Sequence, residues 1–295
     1  MAIRTKFQTL LAKVESTPGV DASPSAGSDA VACENIRVTG NPKIIQTNEY
    51  IGSIDSFAPI VGGMPFQVSF DVPLKGSGTP GTAPEWGKLL RACGFAETIT
   101  ASAIGASAQA ATAGSGNTAT GGLNFTATAQ LYRGMPMLLA VNPAAGAIMP
   151  IADYTAGKVF TFPKTFSPVL DTSTTLQIPI NVLYGPASGS IPSITFWLYR
   201  DGKLLKLTGG RGSWRLAGES GDIFKLSFTF LCMFGSETDA ALVAGTYQPT
   251  RPPAWKGSTG GTMFMNKLAI PLQSFSLESG INPVQPDDPN ATEGF

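Results

Sequence analysis

The sharpest alternation of apolar and polar positions lies in Asp222–Phe234. Phe224, Leu226, Phe228, Phe230, Cys232 and Phe234 fall on one face, and Lys225, Ser227 and Thr229 on the other. At about 3.3 Å per residue this strand reaches about 40 Å. Within Ile194–Phe234, two earlier runs flank Asp201-Gly202, a dipeptide suited to the positive φ angles of a type I′ hairpin turn. A third short run, Ser213–Ala217, ends at the turn Gly218–Gly221. The pattern predicts a four-stranded antiparallel meander with one apolar and one mostly polar face. The apolar face has to be covered by other parts of the chain.

Similar patterning places the remaining elements. Phe7–Val14 is a short extended run. Ala32–Thr39 (burying Cys33, Ile36 and Val38) and Pro65–Leu74 (Phe66, Val68, Phe70, Val72) read as strands. One helix is predicted at Pro84–Cys93. Thr82-Ala83-Pro84-Glu85 has the form of a capping box, Trp86, Leu89, Leu90 and Cys93 make one stripe, and Gly94 is the stop. Ser16–Asp29 reads as an arm and Gly40–Gly62 as a long irregular loop, the kind that is functional or lies on a partner. A short helix is expected at Thr238–Gly245, a flexible loop at Gly257–Gly261, a strand over most of Met263–Leu277, and an acidic tail at Asn282–Phe295. The similarity of Gly63-Met-Pro-Phe-Gln-Val-Ser-Phe to Gly221-Asp-Ile-Phe-Lys-Leu-Ser-Phe, each followed by a Gly-Ser loop and a helix, fits a duplicated unit or convergent strand patterning equally well.

Composition changes at Thr100–Gly122, which is almost all Ala, Gly, Ser and Thr and reads as a linker. Short strands follow at Gln130–Tyr132, Met137–Val141, Ile148–Tyr154, Lys158–Phe162 and Thr175–Leu183, before a second joint at Tyr184–Pro192. Two joints around a strand-rich unit predict an inserted β module at 104–186, splitting a main domain into 1–103 and 187–295.

The 34 Gly and 23 Pro support mainly β structure rich in turns. The chain has no His, which removes the usual general base, the commonest metal ligand and the His-based nucleophilic dyads. Twenty basic and twenty acidic residues balance, and tight nucleic-acid binding draws on a basic excess. Cys33, Cys93 and Cys232 lack metal-like spacing and read as buried free thiols of a reducing compartment. Met1–Val14 has no signal-peptide core, and Met135–Ala152 is too interrupted to span a membrane. Gly76-Ser-Gly-Thr-Pro-Gly lacks the basic residue of a phosphate loop, and Pro286–Asn290 lacks calcium-loop spacing. Lys203, Lys206, Arg211, Arg215 and Lys225 read as a polar sheet face or subunit contact in preference to a nucleic-acid face, since no exposed aromatics interleave with them on the same face. No catalytic, cofactor-binding or metal-ligating residue stands out.

Several ordered blocks resemble the tail tube (major tail) proteins of long-tailed bacteriophages and prophages. They are Leu10-Leu-Ala-Lys-Val-Glu-Ser-Thr-Pro-Gly-Val-Asp, the run from Gly76 through Trp86 to Thr98, Tyr199-Arg-Asp-Gly-Lys-Leu-Leu-Lys-Leu-Thr-Gly-Gly-Arg-Gly-Ser, Leu226-Ser-Phe-Thr-Phe, Thr238-Asp-Ala-Ala-Leu and Phe275-Ser-Leu-Glu-Ser-Gly-Ile-Asn-Pro. The resemblance covers roughly 1–100 and 190–285. Between them, Leu131-Tyr-Arg-Gly-Met, Ile151-Ala-Asp-Tyr, Gly157-Lys-Val and Asp171-Thr-Ser-Thr-Thr are similar to a small β module of other phage tail proteins. Relatives often continue past the block at Phe275–Pro283, whereas this chain ends at Phe295.

The resemblance implies a mainly β sandwich or barrel with one short helix. It also implies a structural, non-enzymatic virion protein, assembled in the host cytoplasm into stacked rings. Those would be six-fold, or trimeric with pseudo-six-fold symmetry, around a channel through which double-stranded DNA passes without specific binding. Each subunit would give a meander to a shared inner barrel, with the module outside. Thr17–Asp29, Gly40–Gly62 and the tail would be candidates for ring-to-ring contacts. Tape-measure and tail terminator proteins would be the other partners, with no membrane and no cofactor. The alternative is a β-rich adhesin or receptor-binding tail component. It would show exposed aromatics among Tyr132, Tyr154, Phe160, Phe162 and Phe166 of the module.

Overall fold

The structure is a computed structural model that describes residues 6–47, 49–50, 52, 57–105, 109–139, 146–256, 264–265 and 268–284. In chain order the first strands are β1 (Gln8–Val14), β2 (Ala30–Val31), β3 (Glu34–Gly40), β4 (Lys43–Ile45), β5 (Ile60–Gly63) and β6 (Pro65–Pro73), followed by α1 (Gly87–Ala92) and β7 (Phe95–Thr100). Seven short strands come next: β8 (Ala113–Gly114), β9 (Thr118–Thr120), β10 (Pro136–Leu139), β11 (Ala147–Pro150), β12 (Asp153–Tyr154), β13 (Val159–Thr161) and β14 (Leu176–Gln177). The chain returns through β15 (Asn181–Pro186), β16 (Ile194–Arg200), β17 (Lys203–Glu219) and β18 (Lys225–Asp239), then β19 (Phe264–Met265), β20 (Leu268–Ala269) and β21 (Ser274–Glu278). The predicted loop at Gly257–Gly261 and the tail beyond Val284 lie outside the described residues.

Strands β17 and β18 organise the molecule. The alternation read in Asp222–Phe234 is real: Leu226, Phe228, Phe230 and Cys232 are all buried. Asp201 and Gly202 both have positive φ, and they join β16 to β17 as a two-residue turn. The two runs read separately after that turn are one 17-residue strand, not two, so the four-run meander is three strands. The pairing register explains the interruption. It slips between Lys206 and Leu207 and again between Thr208 and Arg211, where Gly209 has φ +66°. Such bulges bend a strand and sharpen its twist.

The bend makes two layers out of one hydrogen-bonded path. The strand order is β2-β1-β16-β17-β18-β6-β3, with β21 also on β17. The first half of β17 pairs with β16, and its last residues, Arg215–Glu219, pair with β21. The end of β18 pairs with Lys203–Lys206, and its beginning pairs with β6. One layer is therefore β2-β1-β16-β17-β18, the other β21-β17-β18-β6-β3, and both long strands turn the corner. In a flat sheet, β16 and β6 would stand about 14 Å apart. Yet the rings of Phe196 (β16) and Phe70 (β6) have centroids 5.9 Å apart, and Phe196 and Phe230 only 4.9 Å. The layers face each other across these rings as an open sandwich. Of the two expected forms, sandwich or barrel, the sandwich is the one present.

Helix α1 closes the core with Leu89, Leu90, Ala92 and the following Cys93, as its stripe predicts. The capping box is not formed. Trp86 is the N-cap and makes no side-chain cap. Glu85 turns inward instead and pairs with Lys75 at 2.5 Å, both being buried. The Lys75 Nζ also donates to Gln248 O at 3.0 Å, and the Trp86 indole N–H to Lys75 O at 2.7 Å. With its carboxylate held by Lys75, Glu85 is not free to reach back to the N-cap, and the gain of about 1 kcal/mol from a cap is forgone. The helix expected at Thr238–Gly245 is also absent. Thr238 and Asp239 complete β18, where Lys203–Glu237 pairs at 3.3 Å across the ladder, and 240–245 is irregular. That removes the second helix of the proposed duplication and leaves convergent patterning. Among the described residues of the strand predicted over Met263–Leu277, β19, β20 and the start of β21 are extended, and 270–273 is not.

Thr100–Gly122 is not a linker. Its strands β8 and β9 pair with each other and β9 pairs with β13, while Ala111 and Ala119 are buried. They join a second core with Phe125, Tyr132, Tyr154, Phe160 and Phe162, separate from the core of the sandwich. The chain reaches this core along β7 and leaves along β15, which pair antiparallel from Phe95↔Pro186 to Thr100↔Asn181.

Burial also governs the thiols. Desolvation, with the charges of Glu85 and Glu34, pushes the pKa of Cys33 up to about 12, and burial raises those of Cys93 and Cys232 further. Since folding raises these pKa values, the stability they contribute is complete below about pH 8.5 and is lost as pH rises beyond it. A maleimide at about pH 8 should leave the buried Cys93 and Cys232 unmodified in the native protein, with the half-buried Cys33 slow to react, and label all three after denaturation. Rapid native labelling of Cys93 or Cys232 would show that α1 does not pack as described.

Candidate assembly surface

The two outer faces of the sandwich are treated differently by the chain. On the first layer, Leu11, Tyr199, Leu204 and Trp197 point outward and are covered by Ala26, Ala240 and Val243. The arm is stitched down over the same face. The indole N–H of Trp197 donates to Asp21 Oδ1 at 2.9 Å, and Lys206 Nζ lies 3.2 Å from Asp21 Oδ2 and 3.9 Å from the Trp197 ring centroid.

Glu15 is the anchor of that arrangement, and sequence reading did not single it out. It is buried, and its carboxylate accepts four hydrogen bonds: from Ser193 Oγ (2.5 Å), Thr195 Oγ1 (2.8 Å), Gly209 N (2.8 Å) and Gly19 N (2.7 Å). The donors come from the arm, the start of β16 and the bulge of β17. One side chain thus fixes the arm to the corner of the sandwich.

The outer face of the second layer is left polar. Register places Glu34, Asp71, Ser227, Arg215 and Glu278 in one row across five strands. The next row is Arg37, Ser69, Thr229 and Ser213. Ion pairs hold the ends of the first row: Lys225, two residues before Ser227 on β18, places its Nζ 2.7 Å from Glu34 Oε2, and Arg215 Nε lies 3.5 Å from Glu278 Oε1. Asp71 accepts from Ser227 Oγ at 2.6 Å and from the Asn35 amide at 2.8 Å. Hydrogen bonding to Glu34 raises the pKa of Lys225. The five basic residues singled out along the meander are all engaged within the chain: Lys203 by Glu237, Lys206 by Asp21, Arg215 and Lys225 as above, and Arg211 by Ile191 O at 3.3 Å.

The stretch read as an irregular loop at Gly40–Gly62 contains a hairpin stem, β4 paired with β5. It is a two-stranded ribbon with apolar side chains turned to solvent: Ile44 is 59 % exposed, Ile60 57 % and Val61 56 %. Nearby Tyr50 and Phe57 are exposed as well. An isolated ribbon of this kind is marginal in water, and clustered exposed apolar residues mark contact surfaces.

The aromatics that would have marked a binding face are not available. Tyr132, Tyr154, Phe160, Phe162 and Phe166 are all buried. Their rings pack on one another, Tyr154 and Phe160 at 4.6 Å, and the Tyr154 hydroxyl donates to Thr126 O at 2.6 Å. Among the described residues no cluster of three or more Cys, Asp or Glu is arranged to hold a metal ion.

The chain is an antiparallel sandwich with one bare polar face and an exposed apolar ribbon, the kind of surface that marks a contact with another molecule. Comparison with known families gives the class: the model of the phage tail tube protein family matches residues 8–288. The chain belongs to that family, which makes it a structural component of a virion tail that assembles with itself into a tube. The match encloses 104–186, the segment that the sequence blocks had left out of the resemblance. A search of curated proteins finds no match.

Proposed function

We propose that this chain forms stacked rings, six-fold or trimeric with pseudo-six-fold symmetry, around a channel that delivers the genome. The observation that carries it is the exposed ribbon β4–β5, an apolar surface with no use in a monomer. The subunit acts without catalysis. It is assembled in the host cytoplasm, with tape-measure and terminator proteins setting length and end. Residues 104–186 are an inserted module on the outside of the tube, with 1–103 and 187–295 forming the tube domain. The ribbon reaches from one ring to the next, and the arm and the C-terminal tail add to that contact. The adhesin reading required exposed aromatics in the module. With those rings buried, it is set aside.

Electron microscopy of the concentrated protein is the test. Hollow tubes are expected, and class averages will separate three subunits per ring from six. Particles that remain single subunits at every concentration, with the tail's own initiation complex added, would overturn the reading. The ribbon has its own test: I44K combined with I60K should leave the circular dichroism unchanged and cut sedimentable tube at least tenfold. Tubes of normal yield from that variant would remove the ribbon from the ring-to-ring contact.

A further inference from the structure

We propose that the module at 104–186 is a fixed bracket of the subunit and not a tethered appendage. It is clamped in one orientation by the two faces of the β7–β15 pair, with Tyr184 seated as a peg against α1. This rests on the reading of 104–186 as an inserted module.

Units joined by exposed linkers move relative to each other unless an apolar contact holds them. Here the two crossing strands are themselves the contact. Neighbouring residues of a strand point to opposite faces. On β15 two such neighbours are Leu183 and Tyr184, paired across to Thr98 and Glu97. Leu183 packs on the core of the module and Tyr184 on the core of the sandwich. The β7–β15 pair is therefore a layer shared by both cores, not a stalk between them.

Each face has its own lock. On the sandwich side, the Tyr184 ring centroid lies 5.4 Å from that of Trp86, and the Tyr184 hydroxyl donates to Glu97 Oε2 at 2.6 Å. The ring fits because Gly87, buried at the start of α1, has no side chain. A Cβ there would stand 2.7 Å from Cζ of the ring and overlap its hydroxyl. On the module side, Leu183 Cδ1 lies 3.3 Å from where a side chain at Gly134 would begin, and Thr100 Oγ1 lies 4.0 Å from Met135 Sδ. Two contacts flank the pair. Ile180 Cγ2 lies 2.7 Å from where a side chain at Gly81 would begin, in the turn before α1, and Ala187 N donates to Gly94 O at 2.9 Å, just past its end.

A module held on both faces keeps one angle to the sandwich in every copy. A partner or a load taken up by the module then acts directly on α1, and Leu89 and Leu90 of that helix close the sandwich core.

Spin-label distances in the full-length chain test this. S220C, on the turn after β17, and A156C, on the turn between β12 and β13, report across the two units. T172C with A156C reports within the module. All three positions are exposed, and a C33S background removes the half-buried thiol. Double electron–electron resonance should give one narrow distance distribution for each pair. G87A, which expels Tyr184 from its seat, should broaden the cross-unit distribution by about twofold or more and leave the module pair narrow. L183A, which releases the opposite face and leaves α1 untouched, should do the same. A cross-unit distribution that is already broad without either substitution, or that stays narrow in both variants, would overturn the bracket. Broadening of the module pair as well would remove the reading of 104–186 as a self-contained unit, and the bracket with it.

Discussion

Replacing Phe228 with Asp should abolish folding and tube formation together. Phe228 is 1 % exposed and stands between Phe70 and Phe230, each with a ring centroid 5.9 Å from its own. Loss of the ring costs about 3–5 kcal/mol, and an unpaired buried carboxylate adds several more or must take up a proton. A domain stable by about 5–15 kcal/mol does not survive that. Insoluble expression, or a soluble chain without a cooperative urea transition, is the expected result. F228L, which keeps an apolar side chain of similar size, should fold and assemble. A soluble F228D protein that forms tubes would mean that the two faces of β18 are the reverse of those described.

The second large effect is expected at Glu15. In E15A, the Gly209 and Gly19 amides and the Ser193 and Thr195 hydroxyls lose one common acceptor. Each hydrogen bond to a charged group contributes about 1.5–3 kcal/mol, and they are not independent, so about 4 kcal/mol is expected in all. E15Q retains one acceptor oxygen and should cost about half as much. Urea denaturation measures both. A cost under about 1 kcal/mol for E15A would show that the arm and the β17 bulge are held by other contacts. The effect should extend beyond stability. With the arm released from the corner, Met233, whose Cε lies 3.0 Å from where a side chain at Gly19 would begin, loses part of its cover.

The difference between these two residues shows what a sequence can reveal. Phe228 belongs to a period-two pattern that needs only its own strand to be recognised; β6 is legible for the same reason, and α1 and β16 through equally local signals, a helical stripe and the Asp201-Gly202 turn. Glu15 sits between Val14 and Ser16-Thr17-Pro18-Gly19, where a carboxylate reads as the exposed start of a loop. Its partners lie far along the chain at 193, 195 and 209, and no local pattern carries that pairing. Glu85 was misread in the same way. Its place three residues after Thr82 fitted a cap, but Lys75 and Gln248 had the stronger claim.

Thr100–Gly122 failed for a different reason. A run of small residues was taken as too poor in apolar surface to pack. Here the bulk is supplied by others: a Cβ at Gly121 would stand 2.5 Å from the Phe125 ring, and Ala119 is wholly buried. Small residues were needed because the rings of Phe125 and Phe160 already fill the space. The polar face of the second layer was visible as a face in the alternation of β18. Its rows were not, since they require the registers of four strand pairs.

The ribbon of β7 and β15 carries one more consequence. Thr100 and Asn181 face each other in register, so the chain departs from the sandwich and rejoins it at one spot. Nothing in the strand order of the two layers involves what lies between those residues, and no described residue from 101 to 180 is among the side chains of the sandwich core. The segment between Thr100 and Asn181 can therefore change in length without altering the strand order of either layer.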